Sequence, residues 1–292
     1  MTIGIDMGGT GVKIASVEGP RVLGSCSIPT DVSGGPLALL DAIAEAALGL
    51  EAKPRAAGFG VPGEVDDEGR CYRLPNVPGF EGVAMQAEME ARLGCPVKVE
   101  NEATAAGLAE LHYGHGREHP TFLLITLGTG VGGSVVIDGK VRRGRHGFGG
   151  ELGHIALHRE ESWSCACGQH GCLEAYAGTR GLMRYFEAGG GRAKEVRDIA
   201  DSARRGERAG LAAFEQMGEA LADGIRSLQC VLDVDAIVFS GGISAAFDLF
   251  EPSCRRALRA RAYGPPLGEV PLLVSALGEQ AGQVGAGLLP SA

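Results

Sequence analysis

Twice in this chain an apolar run of strand length stops at a cluster of glycines and then resumes. The first instance is Thr2-Ile3-Gly4-Ile5-Asp6-Met7-Gly8-Gly9-Thr10-Gly11-Val12-Lys13. The second runs from Thr121-Phe122-Leu123-Leu124-Ile125-Thr126-Leu127 through Gly128-Thr129-Gly130-Val131-Gly132-Gly133 into Ser134-Val135-Val136-Ile137. A strand, a glycine turn and a second strand at the head of each half predict two similar α/β lobes around a cleft. Ligands bind such sheets where the strand ends are presented.

The rest of the pattern agrees. Strands are expected at 2–7, 12–17, 21–28, 55–61, 97–100 and 235–240. Helices are expected at 36–50, 81–93, from about 102, and at 174–187, 194–205 and 209–232, with another after Gly241-Gly242. The polar stretch Tyr113–Pro120 is the expected boundary, giving lobes at 1–116 and 117–280, with a C-terminal helix at about 281–292 packing back on the first lobe. The net charge of −9 argues against a nucleic-acid partner. No apolar run is long enough to span a bilayer, so no membrane partner is expected. The opening Thr2-Ile3-Gly4-Ile5-Asp6 lacks the pattern of a signal peptide, and the cytoplasm is the expected compartment.

The glycine turn at Gly8, Gly9 and Thr10 can aim backbone N–H groups and a hydroxyl at a phosphate, while Asp6 can hold an accompanying Mg²⁺ through water. Walker A spacing is missing. Gly128, Thr129 and Gly130 repeat the arrangement, so two turns together favour a phosphate clamp over two plain hairpins. Gly58–Gly63 and Gly128–Gly133 both satisfy G-x-G-x-x-G, yet neither is followed by the helix that a dinucleotide fingerprint demands. Gly241-Gly242, at a strand-to-helix turn, fits either an adenosine contact or close packing. Asn101-Glu102 fits a sugar-binding amide beside a general base, but taken alone it fits better a helix N-cap followed by a first-turn acid. Three of the eight cysteines, Cys165, Cys167 and Cys172, lie close together after Gly150-Glu151-Leu152-Gly153-His154. Three thiolates and one imidazole complete a tetrahedral zinc site. His154, His158 and His170 all remain open as the fourth ligand on spacing alone.

Together these motifs resemble the ROK family of sugar kinases and regulators, in the actin-like ATPase superfamily. The resemblance rests on Asp6–Lys13, Gly60–Asp66, Leu127–Gly133, Gly150–His154 and Cys165–Glu174, in that order and over nearly the whole chain. It implies a two-lobed, ribonuclease H-like α/β fold with a central cleft that closes over ATP and a hexose. It implies that Asn101, Glu151, His154 and Glu174 contact sugar hydroxyls, with Asn76 a further contact. Asp6, Gly8, Gly9, Thr10, Lys13, Gly128, Thr129, Gly130, Gly241 and Gly242 would serve the nucleotide with Mg²⁺. His154, Cys165, Cys167 and Cys172 would hold a structural zinc. The expected reaction is ATP-dependent phosphorylation of glucose. An N-acetylglucosamine or N-acetylmannosamine kinase, or a non-catalytic sugar-binding regulator, is the alternative. A homo-oligomer, dimer or tetramer, follows from the same resemblance. In one departure, Glu102 stands where kinases of the family carry their catalytic Asp.

Overall fold

The structure is a computed structural model. It describes the chain except Asn76, Glu160, Glu161 and Ala292, so the expected sugar contact Asn76 lies outside the described residues. The strands in chain order are β1 (Thr2–Met7), β2 (Gly11–Glu18), β3 (Arg21–Pro29), β4 (Ala56–Val61), β5 (Glu64–Val65), β6 (Cys71–Arg73), β7 (Val97–Asn101), β8 (Phe122–Leu127), β9 (Val131–Ile137), β10 (Lys140–Val141), β11 (Ala236–Ser240) and β12 (Leu272–Val274). The α-helices are α1 (Pro36–Leu50), α2 (Met85–Leu93), α3 (Glu102–Tyr113), α4 (Leu173–Ala177), α5 (Thr179–Ala188), α6 (Val196–Arg204), α7 (Arg208–Leu232), α8 (Phe247–Arg261), α9 (Pro265–Gly268) and α10 (Ala281–Leu288).

Two five-stranded mixed sheets repeat one topology. Their orders are β3-β2-β1-β4-β7 and β10-β9-β8-β11-β12. In each, an antiparallel meander gives way to parallel strands fed by helical crossovers. The chain divides into two compact units. One comprises 1–120, 134–150 and 275–292, and the other 121–133 and 151–274.

In the first unit the alternation of β1 and β4 separates two faces. Ile3, Ile5, Met7, Ala57, Phe59 and Val61 join α1 and α2 in the main core. Gly4 and Gly58, paired across the strands, carry the other face. There a Cβ on Gly4 would strike the carbonyl of Gln283, and one on Gly58 the carbonyl of Ala286. The missing side chains let α10 lie directly on the sheet, with Ala105, Leu108, Ala286 and Leu289 packed beside it. In the second unit, β8 is buried along nearly its whole length and β11 throughout. Phe247 and Phe250 of α8 pack on Phe239 of β11, with ring centroids 5.4–5.9 Å apart and Phe250 edge-on to both of the others.

Two helices differ from the sequence expectation. Instead of starting at 81, α2 starts at Met85, because the Val83 carbonyl accepts the Cys71 N–H and the chain pairs beside β6. The expected helix at 174–187 breaks at Gly178, where a Cβ would press on the carbonyls of Glu174 and Thr129. The β5–β6 hairpin falls on a segment where no strand was expected.

Candidate active site

In the first unit, three parallel strands deliver their C-terminal ends to one edge. The register aligns Asp6 with Gly60 and Gly60 with Glu100. Gly8, Gly9 and Thr10 turn the chain between β1 and β2. The turn is tied by Gly8 N–H donating to the Gly11 carbonyl at 2.8 Å and by the Thr30 hydroxyl donating to the Gly8 carbonyl at 2.8 Å. The Asp6 carboxyl lies against the first turn of α10, where a Cβ on Gly282 would collide with it. Burial pushes the Asp6 carboxyl up, and Lys13, its partner in the strand register, pulls it partly back. Lys13 also reaches Glu279 at 3.4 Å on the surface.

Asn101 closes β7 and caps α3. Its Oδ1 accepts the N–H groups of Ala103 and Thr104 at 2.9 and 3.1 Å, and its Nδ2 donates to the Gly63 carbonyl at 3.2 Å. The capping role weighed in the sequence is therefore real, and one amide hydrogen of Asn101 remains beyond it. Glu102, half-buried, opens the helix. A Cβ on Gly60 would sit 3.3 Å from the Glu102 Cα, so glycine there lets the acid approach the sheet.

In the second unit, the Gly128–Gly130 turn is held by side chains from α4 and α5. Gly128 N–H donates to the Gly130 carbonyl at 3.0 Å, while the Thr179 backbone and hydroxyl both donate to the Gly128 carbonyl, at 3.0 and 2.9 Å. The Glu174 carboxylate accepts the Val131 N–H at 3.1 Å and lies against Gly130, where a Cβ would strike it. Thr179 escapes the sequence reading; the signal was the Gly178-Thr179 step interrupting an expected helix. Gly241, at φ 86°, passes over the Leu127 backbone, which no side chain there would permit. This brings Gly241-Gly242 beside the end of β8. A 3₁₀ turn at Gly242–Ala246 then leads into α8.

Glu151 and His154 flank a 3₁₀ turn, with His154 N–H on the Glu151 carbonyl at 3.1 Å and His154 Nε2 3.8 Å from the Glu151 carboxylate. The other ring nitrogen, Nδ1, faces Cys165 Sγ at 3.7 Å. Cys167 and Cys172 sulfurs are also 3.7 Å apart, and the four ligand atoms of His154, Cys165, Cys167 and Cys172 all lie within 4.8 Å of one another. A tetrahedral ion with Zn–S bonds of about 2.3 Å sets its sulfurs about 3.8 Å apart, so the donor set fits zinc. The cysteines of the chain are free thiols. His158 and His170 are exposed and stand outside this group, so among the described residues geometry selects His154. The loop is packed on α4 and α5 by Trp163, stacked on Tyr176 at 4.9 Å and tilted against Tyr185 at 4.8 Å. Cys165 Sγ also donates to Glu174 at 3.3 Å, which links the thiol cluster to the glycine turn.

Known proteins carry the same plan. A glucokinase of Streptomyces coelicolor is 33% identical over 98% of this chain and 96% of its own length. An N-acetyl-D-glucosamine kinase of Vibrio cholerae is 30% identical over 88% of this chain and 89% of its own. The crystal structure of a ROK family glucokinase from Streptomyces griseus, in complex with glucose and AMPPNP, superposes with a TM-score of 0.87 at 32% identity, covering 100% of this chain and 99% of that one. The family model described as ROK family matches residues 2–292, all five motifs and both glycine turns included, and on that match the chain belongs to the ROK family.

Proposed function

We propose that the chain is an ATP-dependent hexose kinase whose preferred acceptor is glucose, phosphorylated on its 6-hydroxyl. The observation that carries this reading is the convergence of Asp6, the Gly8–Thr10 turn and the Asn101–Glu102 junction on one edge of one sheet. Phosphoryl transfer asks mainly for alignment and charge neutralisation; that edge supplies the alignment, and the Mg²⁺ that Asp6 would hold supplies the neutralisation. Glu102 accepts the proton of the attacking hydroxyl. Asp6 would hold the Mg²⁺ of the nucleotide, and the Gly8–Thr10 turn of the first unit and the Gly128–Gly130 turn of the second would each offer N–H groups to phosphate. Gly241-Gly242 leaves space for the adenosine. Glu151, His154 and Glu174 accept or donate hydrogen bonds to sugar hydroxyls, with the last amide hydrogen of Asn101.

His154, Cys165, Cys167 and Cys172 would hold the zinc. When bound, the ion fixes the loop and polarises the imidazole. Ligation at Nδ1 leaves Nε2–H as a donor toward Glu151 and the sugar, which gives His154 two roles. The relatives named glucokinase favour glucose; the Vibrio relative keeps N-acetylglucosamine as the second reading.

Sugar-dependent ADP release, measured with glucose, N-acetylglucosamine and N-acetylmannosamine, tests the proposal. Glucose should give the highest kcat/KM. Glu102→Gln should lower kcat by about two to four powers of ten with sugar affinity nearly unchanged. Equal turnover in the two proteins would remove Glu102 from its role. Sugar binding without turnover in the wild type would make the chain a sugar-binding regulator.

A further inference from the structure

Directly before the Asn101–Glu102 junction stands a buried acid, Glu100. One carboxylate oxygen accepts the Asn101 N–H at 2.8 Å. The other pairs with Arg143 Nε, an arginine from the loop that follows β10. Arg143 also extends Nη1 to Asp67 at 2.6 Å, in the turn after β5. The same loop lies over β5, because Gly147 sits where a Cβ would press on the Val65 carbonyl. One guanidinium thus ties together the β7–α3 junction, the turn after β5 and its own loop. Burial pushes Glu100 up, and the Asn101 amide and Arg143 draw it back. A carboxylate this buried stays ionised and oriented only while its cation remains.

We propose that Arg143 is a positioning residue for the kinase reaction: through Glu100 it fixes the Asn101 cap and hence the place of Glu102 at the start of α3. The path is short and consists of polar contacts in one unit. Arg143 holds Glu100, Glu100 holds the Asn101 amide, and the Asn101 side chain holds the N–H groups of the first helical turn. Glu102 lies in that turn, so loss of the brace lets the base drift. Displacement of a reacting group by about 1 Å costs on the order of a hundredfold in rate.

The inference rests on Glu102 being the base, and its test separates the two. In Arg143→Met, kcat should fall by about ten- to a hundredfold, with the KM values for sugar and ATP changed less than about threefold. Arg143→Lys keeps the charge without the planar fork and should recover part of kcat. Arg143→Met alone also strands Glu100 and lowers Tm; adding Glu100→Gln removes the stranded charge and should restore Tm. If the brace positions the base, the double variant regains Tm while kcat stays at least about tenfold down. If the pair only stabilises the fold, kcat returns with Tm and the proposal is overturned. Amide exchange gives a readout that needs no turnover. Ala103 and Thr104 should exchange at least about tenfold faster in Arg143→Met, while α7 stays protected. Wild-type exchange at those two amides overturns the brace. A wild type without sugar-dependent ADP release overturns the base assignment instead and leaves the exchange test standing.

Discussion

The two glycine turns begin alike and are held differently. The turn at Gly8–Thr10 is tied by its own backbone and by Thr30, just past the neighbouring strand, whose hydroxyl and N–H donate to the Gly8 and Thr10 carbonyls. The turn at Gly128–Gly130 is held by Glu174 and Thr179, which flank the α4–α5 break just after the thiol cluster. The first is therefore set by local chain geometry. The second leans, through Glu174, on a loop whose thiol cluster has a donor set that fits a metal. Duplication of a topology does not duplicate its supports, and each copy is vulnerable to different insults.

Metal loss should break the comparison most. Cys167→Ser, or exhaustive chelation, should release the thiol loop that leads into α4 and Glu174. Tm should drop by about 10 °C, and the KM for sugar should rise at least about tenfold. Elemental analysis of protein purified without added metal should show about one zinc per chain. A metal-free protein with unchanged Tm and KM would show that the second turn supports itself.

Alanine at matched glycines should sharpen the contrast. In Gly130→Ala the new methyl must displace the Glu174 carboxylate from the Val131 N–H. Loss of such a charged hydrogen bond costs about 1.5–3 kcal/mol, so kcat/KM should fall by roughly ten- to a hundredfold. In Gly8→Ala the methyl meets only the Gly11 carbonyl, at 3.3 Å, and Tm should move by no more than about 2 °C. Equal damage at the two sites would mean the turns are supported alike.

The smallest effect concerns Asp6, which has no counterpart in the second turn. Its folded pKa is raised by burial, so the fold favours the neutral acid. The stabilisation from that preference is complete below the ordinary carboxylate pKa near 4 and is lost as pH rises through the folded value. Asp6→Asn should therefore melt a few degrees higher than wild type at pH 7, and the gap should close toward pH 3, as thermal scans across that range would reveal. The nucleotide role assigned to Asp6 explains why an acid that weakens the fold at neutral pH is present there.

The two-part α/β fold was legible because each half announces itself by an apolar run ending in glycines, whereas the order of strands within each sheet came only from the coordinates. The cysteine spacing pointed to a metal site and by itself left three histidines open; the family resemblance named His154, and the 3₁₀ turn at Leu152–His154 is what brings that imidazole to the thiols. Asn101 was ambiguous for a physical reason, as a cap and a sugar ligand want the same amide at the same strand end. Arg143 was not legible at all. An ion pair between residues 100 and 143 leaves no periodic or motif signal, and its meaning appears only when Glu100 is found buried. Gly178 shows the opposite failure, since a helical pattern ran through a residue where a Cβ would crowd the Glu174 and Thr129 carbonyls at 3.0–3.1 Å.

The contact between α10 and the glycine face of the first sheet also has a consequence in time. That sheet is drawn from residues 1–120, yet the helix that covers Gly4 and Gly58 spans Ala281–Leu288. A ribosome adding about 5–20 residues per second needs roughly ten to thirty seconds to make the chain between them. Throughout that interval the nascent sheet shows one bare, side-chain-poor face to the solvent. The first unit to emerge is the last to be finished, and a chain released before residue 281 carries an uncovered surface suited to chaperones or to aggregation.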